Sequence, residues 1–205
     1  MGRKSDAKDR LEDAALQLMW ERSYGTVTID AICARAKVQK GSFYYFFTSK
    51  EELAAAAIRS DWETYGKAVW DEAFSPTRPP LERIRKILRV SYEKQAQLKE
   101  ESGQVLGCPC FSLGSETSTQ NEPIRLQVQE ILGFMVRYFE SAIMAAQAEG
   151  LIPPGDALPK AKFVYALFEG CQAQARIQND LEYLRKLPDN ALLLLGAQAP
   201  ELAAV

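Results

Sequence analysis

The stretch KVQKGSFYYFFTSKEEL, residues 37–53, places five aromatic residues in a row, from Phe43 to Phe47. An α-helix turns by about 100° per residue, so five consecutive side chains point to nearly every side of it. A helix that packs on a core buries only one stripe of its surface. We therefore predict that at least two of these rings face something other than the protein's own interior.

The residues before the aromatic run predict the helices around it. Thr28 is a suitable N-cap for a short helix over about 28–36, and Asp30 follows in its positively polarised first turn. After a turn of three residues, the aromatic run forms a second short helix over about 40–47. Two short helices joined in this way are typical of a helix-turn-helix, whose second helix enters the major groove of DNA.

The two faces of the second helix carry different chemistry. Phe43 and Phe47 lie one turn apart and are expected to pack in the core, while Phe46 is assigned to neither face. The opposite face carries hydroxyl and ammonium groups that can reach phosphates, and rings that can lie against thymine methyl groups. Gly41 lacks a Cβ and lets the helix start approach the sugar-phosphate chain. The predicted DNA-facing residues of this helix are Lys40, Gly41, Ser42, Tyr44 and Tyr45.

The composition excludes several classes of function. The chain has no histidine, which rules out Ser-His and Cys-His nucleophilic triads and every metal site built on histidine. It has neither a run of about eighteen apolar residues nor a signal-peptide pattern, so we expect a cytoplasmic protein without a membrane segment. No Gly-rich phosphate loop or metal-ligand cluster is present, and we expect no cofactor and no metal.

Charge is distributed unevenly along the chain. Residues 1–50 hold nine Lys or Arg and six Asp or Glu, a balance of +3. The balance over residues 51–205 is −5. The N-terminal part is therefore the more basic one, as an electrostatic partner of DNA should be.

Helical spacing continues to the end of the chain. No strand-like alternation persists, so the fold is predicted to be all-α. A capping-box pattern at 49–52 opens a long helix, and the Pro-rich segment 75–80 interrupts the pattern. Further helices are predicted over 81–98, from Pro123 to just before Gly150, over 157–178 and over 180–196.

The N-terminal motif resembles a known family. Residues 28–32, 40–47 and 49–53 are similar, in order, to the N-terminal signature of TetR-type transcriptional repressors. The resemblance implies a homodimer that binds a short palindromic operator on double-stranded DNA. It also implies that a small-molecule effector in the C-terminal domain releases the protein from DNA.

The resemblance further implies a domain division and two more DNA contacts. It places a helix-turn-helix domain at 1–52, a linker helix at 49–74, and a ligand-binding and dimerisation domain at 53–205. Carried over by position, Thr28 faces DNA, and Lys50 at the start of the linker helix contacts a phosphate.

Two residues depart from the family pattern. Lys37 stands where the family usually has a turn glycine, and a left-handed lysine there would cost roughly 1 kcal/mol. Gln39 replaces the common serine N-cap of the recognition helix. Both departures leave the assignment standing and are expected to bear on operator preference.

The segment FVYALFEGCQAQA, residues 163–175, predicts a helix with two apolar faces. It holds a single charge, Glu169. Such a helix needs two partners, and the resemblance places the four-helix dimer interface here, with the core on the other side. A central helix of a monomer is the alternative.

The effector pocket is expected between the helices from about 81 to 178. Most apolar residues on such helices fill the core, so each assignment rests on its position alone. The candidate lining residues are Trp62, Tyr92, Phe111, Phe134, Tyr138 and Phe168, with Gln172 and Arg176 as polar groups.

The run Gly107-Cys108-Pro109-Cys110 allows two interpretations. Both thiols can be small buried hydrophobes near a helix start. Alternatively, Cys108 is part of the effector site and reacts with electrophiles or oxidants, because a helix N-terminus stabilises a thiolate and the Gly- and Ser-rich surroundings are expected to be mobile. A Gly-Cys step at this place also resembles a subset of TetR-type repressors that respond to reactive compounds.

Two other classes of function compete with a repressor. A small all-α enzyme would have to use scattered carboxylates for acid–base work. A helical interaction module would not bind DNA at all. DNA binding that weakens steeply with salt would distinguish a repressor from both.

Overall fold

The computed structural model describes residues 3–198, with side chains described from Asp6 onward, and every regular element in that range is helical. The predicted all-α class is therefore confirmed. A single π-helical turn, Trp62–Gly66, joins the fourth helix to the fifth. The helices are α1 (Arg3–Glu21), α2 (Ile29–Ala36), α3 (Lys40–Phe46), α4 (Lys50–Asp61), α5 (Lys67–Ala73), α6 (Pro80–Ser102), α7 (Pro109–Thr117), α8 (Glu122–Ala148), α9 (Ala157–Gln178), α10 (Glu182–Arg185) and α11 (Leu187–Leu195).

The chain folds as two compact units. The first comprises the described residues up to Lys67 together with Pro109–Leu132. The second comprises Ala68–Cys108 together with the described residues from Gly133 onward. The domain boundary expected between residues 52 and 53 stays a prediction.

The core of the first unit is built from apolar side chains spaced one helical turn apart. Leu11 and Ala15 of α1 have no exposed surface, and neither do Ile32 of α2, Phe43 of α3 and Leu53 of α4. Burial of one such side chain contributes roughly 1.5–3 kcal/mol for a residue the size of leucine or phenylalanine. This core holds the first four helices together and so fixes how α3 is presented.

Side-chain caps fix where α2 and α4 begin. Thr28 Oγ1 accepts from the Ala31 N–H at 3.2 Å, and Ser49 Oγ accepts from the Glu52 N–H at 3.2 Å. Each bond satisfies one donor that a helix start leaves open. The expected capping box forms in one direction only, because the Glu52 carboxylate accepts from the N–H and hydroxyl of Thr48 at 2.8 and 2.6 Å.

The π-helical turn packs Gly66 closely against Trp62. A Cβ at Gly66 would lie 2.8 Å from Cε3 of Trp62, closer than any side chain tolerates. The indole ring occupies the space above the glycine and is itself buried. The long helix predicted after Ser49 is present, with this one widened turn inside it.

The later helices follow the predicted pattern with one exception. α9 spans Ala157–Gln178 as expected, and α8 covers most of the helix predicted from Pro123 to just before Gly150. The single helix predicted over 180–196 is wrong, because the structure has α10 and α11 there. Pro188 is the reason: a proline fits in the first turn of α11 but cannot continue α10, since its ring would clash with the carbonyl four residues earlier.

Candidate nucleic-acid interface and effector site

A left-handed lysine forms the turn between α2 and α3. Lys37 has φ 54° and ψ 44°, and its N–H donates to the Ala34 carbonyl at 3.2 Å. The next N–H, of Val38, donates to the Cys33 carbonyl at 3.0 Å. These bonds close the C-terminus of α2. The left-handed conformation expected at this position is observed, so Lys37 carries a backbone cost of roughly 1 kcal/mol that a glycine would avoid.

The aromatic run of α3 divides into two faces. Phe43 is fully buried and Phe47 is 3% exposed, with their ring centroids 6.0 Å apart. Tyr44 and Tyr45 are 56% and 64% exposed. Phe46 is half-buried and stands edge-on to Tyr45 at 4.9 Å between centroids. Two rings therefore point away from the interior, as the helical geometry requires.

The start of α3 is polar and open. Lys40 Nζ lies 2.8 Å from the Asp30 carboxylate, and both side chains are exposed. A Cβ at Gly41 would meet no atom within 4 Å, so packing within the described protein does not require a glycine there. Ser42 is half-buried, and Thr28 is exposed at the N-cap of α2. These residues lie at the start of one or other helix of the helix-turn-helix.

Lys50 has structural contacts in addition to its charge. Its Nζ donates to the carbonyls of Tyr24 at 2.9 Å and Val27 at 3.0 Å, and it lies 4.0 Å from the centre of the Tyr24 ring. The side chain is half-buried. Two of the three ammonium protons are therefore used to hold the loop that leads into α2, and the predicted phosphate contact of Lys50 stays a prediction.

The same loop is held from α7. The Glu116 carboxylate accepts from the Tyr24 N–H and from the Gly25 N–H, each at 2.9 Å. A Cβ at Gly25 would lie 3.4 Å from Glu116 Oε1, so a larger residue there would crowd the carboxylate. The position of α7 thus bears directly on the segment that starts the helix-turn-helix.

Side chains from two helices bind the backbone before α7. Gln95 of α6 is 3% exposed, and its Oε1 accepts from the N–H groups of Leu106 at 2.9 Å and Gly107 at 2.8 Å. Its Nε2 donates to the Gly107 carbonyl at 3.0 Å. From α9, the half-buried Arg176 donates through Nη1 to the Leu106 carbonyl at 3.0 Å. The mobility expected from the composition of this segment stays a prediction, and these bonds do not favour it.

Gly107 sets Cys108 against α9. Its φ is 67°, a left-handed conformation that suits glycine, and a Cβ would lie 3.3 Å from the Gln172 carbonyl oxygen. The close approach of the two backbones therefore depends on this glycine. Cys108 is half-buried, and no disulfide involves it.

Glu169 of α9 is a buried carboxyl in the second unit. It is 2% exposed, and its Oε1 accepts from the Tyr165 hydroxyl at 2.8 Å. Burial raises the pKa of Glu169 to about 7, and hydrogen bonds from Tyr165 and the Cys108 thiol lower that pKa in part. Oε2 is buried and has no hydrogen-bond partner among residues 3–198. An unpaired buried oxygen costs about 1–3 kcal/mol, so its retention calls for an explanation.

Aromatic rings surround this part of α9. The centroids of Trp70 and Phe74 are 5.6 Å apart with the rings parallel, and Phe139 stands edge-on to both. Phe168 lies 6.4 Å from Trp70 and 6.2 Å from Tyr165, between ring centroids. The rings form one continuous aromatic cluster. Of the predicted pocket residues, Phe168 and Tyr138 belong to it.

Tyr138 joins this cluster to a carboxylate. Its ring centroid lies 5.3 Å from that of Phe74, and its hydroxyl donates to Asp71. Burial, followed by the hydrogen bond to Asp71, raises the pKa of Tyr138 to about 12. Tyr138 is therefore a neutral hydrogen-bond donor at any physiological pH.

The other predicted pocket residues are more scattered. Gln172 is buried and its Oε1 accepts from the Ser91 hydroxyl at 3.3 Å, while Phe134 lies 4.7 Å from the Arg137 guanidinium. Tyr92 is half-buried on α6. Trp62 and Phe111 lie in the first unit and their assignment to the pocket stays a prediction, as do the other pocket assignments.

Sequence reasoning missed several members of the aromatic cluster and its acid. Spacing held a signal for part of it, since Trp70 and Phe74 stand four residues apart, as do Tyr165 and Glu169. Glu169 was also visible as the one charge in residues 163–175. Nothing in the sequence indicated its contact with Cys108, which lies on a distant segment.

One face of α9 carries apolar side chains at the surface. Phe163 is 78% exposed and Ile177 is 73% exposed, and Gly170 and Gln174 lie exposed between them at helical spacing. Leu167 on the same face is half-buried. We call these five residues the α9 stripe. The predicted second apolar face is therefore present.

Comparison with known proteins identifies the family. Residues 11–57 match the family model of bacterial regulatory proteins of the tetR family, and residues 80–189 match that of the Tetracyclin repressor-like C-terminal domain. The chain belongs to the TetR family. The resemblance inferred from the helix-turn-helix is thus confirmed, and it extends to the C-terminal helices.

Several TetR-family relatives align over most of the chain. The transcriptional regulator AcuR of Cereibacter sphaeroides is 30% identical over 176 residues, which cover 84% of this chain and 77% of AcuR. The transcriptional repressor NemR of Escherichia coli K12 is 24% identical over 188 residues, which cover 91% of this chain and 90% of NemR.

Solved structures of TetR-family proteins have the same fold. A regulatory protein TetR from Rhodobacter sphaeroides superposes with a TM-score of 0.82 at 27% identity, covering 92% of this chain and 98% of that one. The reduced form of E. coli NemR superposes with a TM-score of 0.79 at 23% identity, covering 95% and 99%, a likeness that shows the fold alone.

Membership of the TetR family makes this chain a transcriptional regulator. The family is one of regulators and not of enzymes, so the alternative of a small all-α enzyme has no support. Within residues 3–198, no helix has the length and apolar character needed to span a membrane.

Proposed function

We propose that this TetR-family protein is a cytoplasmic repressor that binds a palindromic operator as a homodimer and leaves it when an effector binds. The domain at 1–52 contacts DNA, the linker helix at 49–74 follows it, and residues 53–205 bind the effector and the partner subunit. The observation that carries this proposal is the exposed tyrosine pair of α3, Tyr44 and Tyr45, on a helix anchored by buried phenylalanines.

The residues around α3 have distinct proposed roles on DNA. Tyr44 and Tyr45 lie against base edges or sugars, while Lys40 gives up its exposed ion pair for a phosphate, which costs little because exposed pairs contribute about 0–1 kcal/mol. Open space at Gly41 lets the backbone approach a phosphate. The further proposed contacts are Thr28, Ser42 and the remaining N–H of Lys50.

Replacing Tyr44 with alanine tests this interface. We expect operator affinity to fall about 10-fold or more, because a base-edge contact contributes roughly 1–3 kcal/mol. Tyr65 provides a matched control, since it is 61% exposed but lies in the π-helical turn away from α3. Fluorescence anisotropy with operator DNA measures both variants. A Tyr44→Ala protein that binds as tightly as Tyr65→Ala would remove Tyr44 from the interface.

The α9 stripe supports the homodimer. It is a run of apolar and small residues on one helix, with no charged member, and such surfaces on soluble proteins mark association sites. A second copy offers a matching face, because the interface of a two-fold dimer is formed by the same patch on both subunits. Gly170 in the middle permits close approach of the two helices.

We further propose that Cys108 takes part in effector sensing by reacting with electrophiles. The ordered backbone around it and its position just before α7 support this role, since Glu116 of α7 holds the loop that starts the helix-turn-helix. A change at Cys108 can then reach α2 through α7.

Cys108→Ser is the test of the thiol. We expect N-ethylmaleimide to release operator DNA from the native protein and not from this variant. Cys171→Ser is the matched control, because Cys171 is also half-buried on α9 and burial raises the pKa of its thiol, which slows its reaction. Release from Cys108→Ser at the native rate would mean that the effector is a reversible ligand of the helical domain.

A further inference from the structure

We propose that Glu169 is the acid–base partner of Cys108, and that the two groups form a binding site for a small α,β-unsaturated carbonyl compound. This inference rests on the thiol-sensing function proposed above. It adds the chemical class of the effector and a second reacting residue.

One oxygen of the Glu169 carboxyl is buried without a hydrogen-bond partner among the described residues. Glu169 is 2% exposed and its Oε2 has no partner among the described residues, although its Oε1 accepts from Tyr165. Buried polar atoms in folded proteins are nearly always paired, and an exception points to a missing partner. A bound compound with a hydrogen-bonding group would pair with Oε2.

Burial favours the protonated form of the Glu169 carboxyl. Burial raises the pKa of Glu169 to about 7, so a large part of the population carries a carboxylic acid at neutral pH. A protonated carboxyl can donate its proton to a carbonyl oxygen.

The thiol of Cys108 lies beside this carboxyl. The Cys108 thiol hydrogen-bonds to the same carboxyl, and Gln95 binds the backbone of the preceding residue, Gly107, which lies against α9. A nucleophile fixed beside a proton donor is the arrangement that conjugate addition requires. Tyr165 orients the carboxyl from the other side.

The aromatic cluster makes the surroundings of the acid apolar. The Tyr165 ring lies 6.3 Å from Phe139 and 6.2 Å from Phe168, between centroids. Apolar surroundings disfavour a strongly charged molecule beside the acid.

The reaction balances without any further reagent. The Cys108 sulfur forms a bond to the β-carbon as the carbon–carbon π-bond opens toward the carbonyl. Glu169 gives the proton of one oxygen to the carbonyl oxygen and takes the thiol proton on its other oxygen. The enol that results tautomerises to the saturated carbonyl adduct, and the carboxyl ends in its original protonation state.

The test compares two reagents on two proteins. Mass spectrometry follows adduct formation at Cys108 with methyl vinyl ketone and with iodoacetamide, in the native protein and in Glu169→Gln. Glutamine keeps the size and hydrogen bonding of the side chain but cannot transfer a proton. We expect the rate with methyl vinyl ketone to fall about 100-fold, a usual loss on removing a positioned acid or base. Iodoacetamide reacts by displacement of iodide and builds no charge on its carbonyl oxygen, so the rate with this reagent should fall much less.

Cys171 serves as the internal control in the same molecules, since its rate should be unchanged in Glu169→Gln. Equal rates for both proteins with methyl vinyl ketone would overturn the proposal. So would an equal loss with both reagents, which would leave no role for Glu169 in protonating the carbonyl oxygen. If Cys108 of the native protein reacts with neither reagent, this inference and the thiol sensor both fail, while operator binding and the Tyr44 comparison still decide the repressor function.

Discussion

Replacing Phe163 with aspartate should convert the protein to a monomer and abolish operator binding at concentrations where the native protein is fully bound. Phe163 is 78% exposed on the α9 stripe. Burial of a phenylalanine contributes roughly 1.5–3 kcal/mol, and a two-fold interface contains the residue twice. The loss is therefore about 3–6 kcal/mol, or roughly 100-fold to 10,000-fold in dimer affinity, before the added carboxylates are counted.

Light scattering at micromolar concentration measures the change in mass. Leu126→Asp is the matched control, because Leu126 is a 51% exposed apolar residue on α8 outside the α9 stripe. The control should remain a dimer and keep its operator affinity. If Phe163→Asp remains a dimer as well, the α9 stripe is not the interface and α9 is the central helix of some other arrangement.

The contribution of Glu169 to stability should fall by about 3 kcal/mol as pH rises from 4.5 to 8, so the native protein should lose about that much relative to Glu169→Gln over this window. The pKa of Glu169 is about 7 in the folded protein, against an ordinary value of 4.5. Between these values the folded protein binds more protons than the unfolded chain. Its free energy of unfolding therefore decreases as pH rises through this window and levels off above it.

Urea unfolding at a series of pH values measures the free energy of unfolding. Tyr165 and Cys108 are the titratable groups known to bond to this carboxyl, and neither ordinarily titrates below pH 8. Glu149→Gln, in the exposed turn just after α8, should retain the native pH dependence. If Glu169→Gln keeps it too, the carboxyl is already ionised when folded and the acid step proposed for it fails.

The helix-turn-helix could be predicted from sequence because its signals are local. Thr28 and Ser49 cap their helices through residues three positions away, and the division of the aromatic run follows from helical geometry alone. The backbone cost at Lys37 could also be expected from the sequence, because a lysine stands there at a turn position where the family usually has glycine. Each of these features depends on neighbours within one or two turns.

The effector site could not be predicted in the same way because its contacts join distant segments. Gln95 binds the backbone of Leu106 and Gly107, and Glu169 meets Cys108 across sixty-one positions of sequence. A Gly- and Ser-rich composition says nothing about such bonds, so the segment was expected to be mobile. Likewise, Lys50 carried no sign in the sequence that two backbone carbonyls bind its ammonium group.

We propose that this chain represses transcription by binding a specific operator. A salt titration of operator binding is the direct test. The DNA upstream of its own gene is titrated with native protein at several salt concentrations, beside a scrambled fragment of equal length. We expect a dimer bound to the native fragment, with affinity that falls about 1,000-fold or more between 50 and 200 mM salt. Equal affinity for both fragments, or binding that salt does not weaken, would contradict the proposed function of an operator-specific repressor.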